Sequence, residues 1–368
     1  MNAARTKLKI VFLLGLFLPS PLFAEGIEQL WPVALSSLQK RLRDDHISES
    51  QLKLLDPAKL KFGAAAVRLK LLDKIANAPD PEQFITTKSL QRARKFLSDH
   101  RKVLAETFNE TCVPPSITVA VLSVETSLGR FKPQFPVLAT LASHATLGNE
   151  GLREALIPSL LEHARRNPRQ YQGMGLIDWR ARAKEIGEKW YLQLRSYFLL
   201  ADQLKWSERT ILAMRGSFTG AIGYSQWQPE RAEARMKDQR FDLWSWNDSI
   251  WHTSAELAGN DFESDPEKAL KKYNDVRWYR EAVFRIAGEL GSTGTGHARP
   301  ASNQTMVTEA HPTERPARCG VPTAVPSPAQ SREVSAGSQP NSNDRSRGIE
   351  LKPSLQTGPR KSPGRDRE

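Results

Sequence analysis

Apolar residues recur at helical spacing from about position 27 to position 290, whereas strict alternation of apolar and polar residues is scarce. Apolar positions three or four residues apart lie on one face of an α-helix, which packs onto a core. Residues 62–75 and 90–108 are clear examples, and Thr86 or Thr87 is a candidate N-cap for the second. The pattern predicts a mainly α-helical fold.

The first residues have the pattern of a secretory signal peptide. Basic residues precede an apolar run at 10–18, and the following residues 19–24 end in the small residue Ala24. The run is too short to cross a bilayer core of about 30 Å, which disfavours the alternative of an N-terminal membrane anchor. We therefore predict a signal peptide at 1–24, cleavage after Ala24, a periplasmic location and no stable membrane anchor.

The composition changes sharply after position 290. Residues 291–368 are rich in Ser, Pro, Gly, Thr and Arg and contain no Phe, Trp or Tyr. Such a segment cannot bury enough apolar surface to offset its ordering entropy, so we predict a disordered tail. The tail is either a binding segment for a secretion or cell-wall assembly partner, or a dispensable solvated extension. The catalytic domain is then expected at 25–290.

Charge and cysteine content narrow the classes of partner and site. The formal net charge of +12 would suit a nucleic acid, but an exported protein does not meet one. An anionic polymer or membrane surface outside the cytoplasm fits the same charge. The two cysteines, Cys112 and Cys319, are too few and too far apart for a zinc site or a disulfide framework. We expect no cofactor, no metal and no disulfide support.

One carboxylate stands among apolar neighbours. Proline at positions 114 and 115 predicts the start of a helix that carries Glu125. Val121, Leu122 and Leu128 lie one turn away from it, so burial would favour the protonated carboxyl and allow it to donate a proton. The alternative is a glutamate at a helix end that pairs with Arg130. Spacing alone leaves both interpretations open.

Motifs in three regions, in order along the chain, carry a resemblance to a known family. They are 113–115 (V-P-P) with 124–130 (V-E-T-S-L-G-R) and 136–142 (P-V-L-A-T-L-A), then 215–229 (R-G-S-F-T-G-A-I-G-Y-S-Q-W-Q-P), then Tyr273-Asn274 followed by Tyr279. Together they resemble the lytic murein transglycosylase B family, which includes membrane-bound lytic transglycosylase B. The likeness extends over about 27–290 and is loose between the motifs.

The resemblance implies a lysozyme-like helical domain with additional flanking helices, and a place for each motif residue. Glu125 would be the single acid/base that cleaves the β-1,4 bond between N-acetylmuramic acid and N-acetylglucosamine in peptidoglycan glycan strands. The sugar's own C6 hydroxyl would replace water and leave a 1,6-anhydro end. Ser217 would lie beside the glutamate and the substrate N-acetyl group, Gln226 would bind sugar, and Asn274 with Tyr279 would line the cleft.

Glycines and aromatic residues of the middle motif offer two further expectations. Gly216, Gly220 and Gly223 could let a polysaccharide approach the backbone, or could equally serve tight packing and turns. Large aromatic residues more often belong to the core than to a sugar site. Among these aromatic residues, we expect only Tyr224 or Trp227 to contact substrate.

The chain departs from the family pattern outside the motifs. Residues 230–243 lack the regular oxygen ligands of a calcium loop, and Glu256 stands where relatives have a cleft tyrosine. We expect Glu256 to be a surface residue in a slipped register, with altered substrate handling as the alternative. Residues 143–178 resemble an insertion. Arg180 and Arg182 are candidates for the paired arginines with which relatives hold substrate.

The sequence is compatible with two other functions. A lysozyme-like peptidoglycan hydrolase would need a second carboxylate, for which Glu256 is the candidate. A non-catalytic peptidoglycan-binding secretion-accessory protein would keep the fold without turnover. The chain keeps all five residues that the resemblance places at the site, which argues against such a loss: Glu125, Ser217, Gln226, Asn274 and Tyr279.

Overall fold

Helices make up nearly all of the regular structure. The computed structural model describes residues 21–72, 80–131, 133–168, 171, 173–237 and 241–291. Its helices are α1 (Pro21–Asp44), α2 (Glu49–Leu52), α3 (Ala64–Leu72), α4 (Thr87–Asp99), α5 (Arg101–Thr111), α6 (Pro115–Thr126), α7 (Val137–Ala145), α8 (Glu150–Arg166), α9 (Leu176–Gln203), α10 (Glu208–Ala213), α11 (Pro229–Met236), α12 (Trp246–Gly259), α13 (Pro266–Tyr273) and α14 (Arg277–Gly291). The prediction of a mainly α-helical fold is confirmed.

A short antiparallel pair of strands accompanies the helices. Strand β1 (Phe135–Pro136) pairs with β2 (Arg215–Gly216), and Phe135 lies opposite Gly216. The pair fixes the segment before α7 against the start of the motif at 215–229, which we call the glycine-rich motif. Two motifs that lie far apart in sequence are therefore joined directly by backbone pairing.

The helix starts follow local sequence signals, and one predicted helix proves to be two. Thr86 caps α4, because its side-chain oxygen accepts the N–H of Ser89 at 3.1 Å. The segment 90–108 was expected to be continuous, but the helix ends at Asp99 and α5 begins at Arg101. His100, with φ −110° and ψ 20°, breaks the helical backbone between them. Apolar spacing persists across the break, so periodicity alone does not reveal it.

The apolar core consists of two clusters. The first cluster is formed mainly by α1, α7, α8 and α9, with buried members such as Leu35, Leu141, Leu156 and Trp179. The second cluster is formed by α4, α5, α6, α12, α13 and α14, with buried members such as Phe96, Leu122, Ile250 and Val283. Glu125 lies on the α6 side of the second cluster. Trp227, which lies within the glycine-rich motif at 215–229, belongs to the first.

The segment 143–178 contributes to the core rather than lying outside it. It contains all of α8 and the 3-10 turn Thr146–Gly148, and it supplies Leu147 and Leu152 to the first cluster. His144 is buried against Trp190 with ring centres 5.3 Å apart. Burial lowers the pKa of His144 to about 4, so the imidazole is neutral. Its designation as an insertion stays a prediction.

Several predictions concern the two ends of the chain, membrane-spanning helices and the two cysteines. Residues 1–20 of the predicted signal peptide and 292–368 of the predicted tail lie outside the described residues, and both stay predictions. In the described ranges, every helix is too short or too polar to cross a membrane. Cys112 is disulfide-bonded, so the expectation of no disulfide is wrong at this position. The other cysteine, Cys319, lies outside the described residues.

Candidate active site

Glu125 lies in the last turn of a helix that is buried along most of its length. Pro115 occupies the first turn of α6, where a missing N–H has no cost, and residues 117–122 are all buried. Directly after the helix, Ser127, Leu128 and Gly129 all have left-handed backbone, with φ of 50°, 56° and 76°. Left-handed backbone at two residues other than glycine is strained. This sharp reversal ends α6 just after Glu125.

The Glu125 side chain is half-buried, and its carboxyl is held by one hydrogen bond. The Tyr279 hydroxyl on α14 donates to Glu125 Oε1 at 2.7 Å, and Tyr279 is buried. Burial raises the pKa of Glu125 to about 7; the hydrogen bond from Tyr279 and the charge of Arg231 lower it but do not offset the burial. In the described chain no ion pair joins Glu125 to Arg130. A carboxyl with this pKa can both give and take a proton near neutrality.

A second group of buried polar side chains lies behind Tyr279. The Tyr273 ring lies nearly parallel to the Tyr279 ring, with centres 6.4 Å apart. The guanidinium carbon of Arg231 is 4.5 Å from the centre of the Tyr273 ring, and Arg231 forms an ion pair with Glu256. The expectation of a surface position for Glu256 is wrong, because its side chain is only 15% exposed.

The sequence patterns did not indicate Arg231 or Tyr273 as members of the site. Tyr273 could have been found, since it directly precedes Asn274 in the last motif. Arg231 could not, because an arginine two residues after Pro229 gives no local sign of a partner on α12. Its ion pair with Glu256 spans 25 positions and depends on how α11 and α12 pack.

Tyr224 stands in an aromatic group next to the turn that follows Glu125. Its ring stacks on Trp246 with centres 3.7 Å apart and planes at 3°, and Trp244 meets it edge-on at 5.7 Å. A methyl group on Gly129 would lie 2.9 Å from the Trp246 ring. Glycine at this position lets the reversal after α6 approach the aromatic group closely. Tyr224 remains half-buried, so one part of it faces solvent.

Trp227 cannot contact a substrate as it stands. Its side chain is 1% exposed, and its ring packs against Phe241 and His252 with centres 5.2 and 5.5 Å away. The expectation of a contact between Trp227 and a sugar is wrong. Its apolar bulk completes the first core cluster instead.

Ser217 and Gln226 hold their own loops in shape. The Ser217 hydroxyl oxygen accepts the Ala221 N–H at 3.1 Å and shares a 2.8 Å hydrogen bond with the Thr219 hydroxyl. The Gln226 side-chain amide donates to the Gly223 carbonyl at 2.8 Å, with left-handed backbone at Gln226 itself. Among the described hydrogen bonds, none links either side chain to Glu125. Their substrate-binding roles stay predictions.

Asn274 begins the connection between α13 and α14. Its Oδ1 accepts the Val276 N–H at 3.2 Å, and its backbone N–H donates to the Leu270 carbonyl. The residue is half-buried and follows Tyr273, so it lies beside the second group of buried side chains. Contact with substrate stays a prediction for this residue.

The glycines of the middle motif are required by packing within the protein. A Cβ on Gly216 would collide with the Ala221 carbonyl, and one on Gly220, where φ is 82°, would collide with the Leu141 side chain. Gly223 has φ 75° and lies against the backbone of Leu243. Of the two interpretations offered by the sequence, tight packing and turns is the one that these contacts support.

The two arginines proposed to hold substrate have other partners. Arg180 pairs with Glu154 on α8, with Nε 2.9 Å from Oε1, and Arg182 donates to the Leu71 carbonyl at 2.6 Å. These contacts attach α9 to α8 and α3. The structure therefore does not bring Arg180 or Arg182 to the Glu125 carboxyl through any described contact.

A cation would need several charged or imidazole ligands close together. Within the described ranges, no group of three or more His, Cys, Asp or Glu side chains is arranged to hold one.

Removing the Tyr279 hydroxyl tests its hold on the carboxylate. We expect Tyr279→Phe to raise the pKa of Glu125 by about one unit, because the lost hydrogen bond favours the charged form. Carbon NMR of protein labelled at glutamate carboxyls measures this directly. Tyr197→Phe is the matched control, since the Tyr197 hydroxyl donates to the Ile211 carbonyl instead. Equal Glu125 titration in both variants would contradict the assigned effect.

Comparison with known families identifies a sequence relationship over most of the described region. Residues 34–269 match the family described as transglycosylase SLT domain. A search of curated protein sequences finds no match. The matched range includes Glu125, the glycine-rich motif, Arg231 and Glu256, and it ends just before Tyr273.

Solved structures show that the fold is shared. The Escherichia coli lytic transglycosylase Slt35 in complex with bulgecin A superposes with a TM-score of 0.52 at 16% identity, over 71% of this chain and 93% of that one. Pseudomonas aeruginosa soluble lytic transglycosylase SltB1 gives 0.50 at 18% identity, over 72% and 99%. Pseudomonas aeruginosa SltB3 in complex with NAG-NAM-pentapeptide gives 0.50 at 14% identity, over 77% and 83%.

Proposed function

This chain belongs to the transglycosylase SLT domain family. We propose that it is a peptidoglycan lytic transglycosylase, which cleaves the β-1,4 bond between N-acetylmuramic acid and N-acetylglucosamine without consuming water. The observation that carries the proposal is the Glu125 carboxyl, which is half-buried, accepts a hydrogen bond from Tyr279 and has its pKa raised to about 7 by desolvation. Such a group is suited to donate a proton first and to accept one afterwards.

In the first step the protonated Glu125 acts as a general acid. It gives its proton to the glycosidic oxygen, the bond from that oxygen to C1 of N-acetylmuramic acid breaks, and the N-acetylglucosamine side leaves as an alcohol. Positive charge develops at C1. The substrate's own N-acetyl oxygen stabilises this charge, as expected of a site with one catalytic carboxyl.

In the second step the Glu125 carboxylate acts as a general base. It takes the proton from the C6 hydroxyl of the same sugar, whose oxygen bonds to C1 and closes a 1,6-anhydro ring. The proton lost in the first step is thereby regained, and the enzyme returns to its starting state. Tyr279 supports both steps, because its hydrogen bond stabilises the carboxylate between them.

The position of Glu256 favours this route over hydrolysis with two carboxylates. A glycoside hydrolase needs a second carboxylate free to attack or to activate water. Glu256 is instead bound to Arg231 in a mostly buried ion pair. Its carboxylate is occupied by a permanent cation, which disfavours a role as nucleophile or base.

Substrate contacts and cellular context complete the proposal. Tyr224 offers a half-buried ring for stacking on a sugar, and Ser217, Gln226 and Asn274 supply polar groups for its hydroxyl and N-acetyl substituents. We further propose export to the periplasm with loss of residues 1–24. The catalytic domain then extends over 25–290, and the tail at 291–368 serves as a disordered extension that can contact a cell-wall or secretion partner.

Digestion of purified peptidoglycan sacculi tests the reaction. We expect mass spectrometry of the released fragments to show 1,6-anhydro ends, each lighter by one water than the corresponding reducing end. Reducing ends alone, with their loss on Glu256→Gln substitution, would support the hydrolase instead. Binding to sacculi without release of any fragment would support a non-catalytic accessory protein.

A further inference from the structure

The Arg231–Glu256 ion pair lies next to the catalytic group but has no task in the reaction described above. Arg231 on α11 and Glu256 on α12 have side chains that are only 29% and 15% exposed. The guanidinium carbon lies 4.5 Å from the Tyr273 ring centre and 5.5 Å from that of Trp227. Burying an ion pair is costly and is weak evidence for a stabilising purpose. A contribution to stability therefore does not by itself explain why this ion pair is present beside Glu125.

Contacts connect this pair to the catalytic carboxyl. Arg231 lies over the Tyr273 ring, that ring is nearly parallel to Tyr279, and the Tyr279 hydroxyl donates to Glu125 at 2.7 Å. The positive charge of Arg231 also acts on Glu125 directly and lowers the pKa of its carboxyl, against the larger effect of burial. Glu256 partly neutralises that same charge. The two members of the pair thus influence Glu125 in opposite directions.

We propose that Arg231, held and partly neutralised by Glu256, is a positioning residue that sets the pH range over which Glu125 can act first as an acid and then as a base. The inference rests on the proposed function, because it assigns Glu125 both tasks. Without the arginine the carboxyl would hold its proton too tightly to return as a base. With an unpaired arginine it would release the proton too early.

The charged and titratable surroundings of Glu125 are few, so the effect can be isolated. Of the helices packed against α6, α14 presents Tyr279, and α12 carries Glu256, which pairs with Arg231. Helices α4 and α5 present no described group that acts on this carboxyl. Arg231 acts on it from α11, and the buried Tyr273 hydroxyl on α13 interacts with both Arg231 and Glu125. A change in pH dependence can therefore be traced to this set.

The test is the pH dependence of kcat/KM on soluble glycan strands from about pH 5 to about pH 9. Activity falls on the alkaline side when free Glu125 loses its proton. We expect Glu256→Gln to move the alkaline midpoint down by about one pH unit, because Arg231 then acts unneutralised. We expect the double variant Arg231→Met with Glu256→Gln to move it up, because the cation is gone.

Two control variants separate this effect from structural damage. Arg231→Lys keeps the charge and should keep the wild-type midpoint even if the rate falls. Glu267→Gln breaks the ion pair with Arg280, where Nε lies 2.6 Å from Oε1, and so disturbs α13 and α14 without a charge change beside Glu125. It should leave the midpoint unchanged. The double variant leaves no buried unpaired charge, which favours a folded protein.

The outcomes distinguish this inference from the proposed function. Opposite shifts in Glu256→Gln and the double variant support the positioning role. Wild-type midpoints in both, with anhydro products still formed, overturn the role of the pair and leave the proposed reaction standing. A wild-type protein that forms no anhydro product overturns the proposed reaction, and the positioning role with it.

Discussion

Replacing Glu125 with glutamine is expected to lower the rate of glycan cleavage by roughly a hundred- to ten-thousandfold. Glutamine has nearly the same shape and can still accept the hydrogen bond from Tyr279. It cannot give a proton to the glycosidic oxygen or take one from the C6 hydroxyl, so both steps fail together. The measurement is the release of soluble fragments from sacculi by wild-type and Glu125→Gln protein side by side. Undiminished release by the variant would remove Glu125 from the mechanism.

The same substitution should make the protein more stable near neutral pH. This gain in stability would separate a loss of activity from unfolding of the variant. Because the pKa of Glu125 is raised from 4.5 to about 7, the folded chain keeps a proton that the unfolded chain releases across that range. The free energy of unfolding therefore falls as pH rises through this window, by an amount on the order of 3 kcal/mol. Glutamine does not titrate and avoids this loss. Urea unfolding at about pH 5 and about pH 8 should show the smaller pH dependence in Glu125→Gln.

The sequence was sufficient to single out the carboxyl that we propose as the acid/base, Glu125, and one of its partners, Tyr279. Glu125 and Tyr279 are 154 residues apart, and no local pattern links them. Apolar spacing around Glu125 indicated burial, and the resemblance placed Tyr279 in the same cleft. The structure brings the two side chains into direct contact. The described partner of Glu125 is Tyr279 rather than Arg130, and the proposed acid/base role stays a prediction.

Other parts of the site depend on packing that the sequence does not encode locally. Arg231 and Glu256 look like ordinary surface charges on two helices, and their meeting depends on how α11 and α12 pack. Trp227 looked like a sugar-stacking residue, but it is needed to fill the first core cluster. The broken helix at His100 has the same origin, since the apolar spacing continues through a backbone break. In each case tertiary contacts outweigh the local signal.

The largest expected effect on stability comes from Gly187→Ala, at about 3 kcal/mol or more of destabilisation. Gly187 lies within α9, where alanine would normally be favoured over glycine by about 1 kcal/mol. Here, however, an added Cβ would overlap the backbone nitrogen of Gly148 and lie 2.8 Å from the carbonyl carbon of Leu147. Both groups are backbone in the turn between α7 and α8, so they cannot move aside as a side chain would. One of the two elements must shift, and the first core cluster is disturbed with it.

Gly288→Ala provides the matched control in a helix of similar kind. Gly288 lies in α14 with nothing within 4 Å of an added Cβ, so the intrinsic preference for alanine acts alone. We expect this variant to gain about 0.5–1 kcal/mol, opposite in sign to Gly187→Ala. Urea midpoints at unchanged slope measure both effects. If Gly187→Ala unfolds at the same urea concentration as Gly288→Ala, then the turn between α7 and α8 does not press on α9. The segment 143–178 would in that case be less firmly joined to the core than its buried Leu147 and Leu152 indicate.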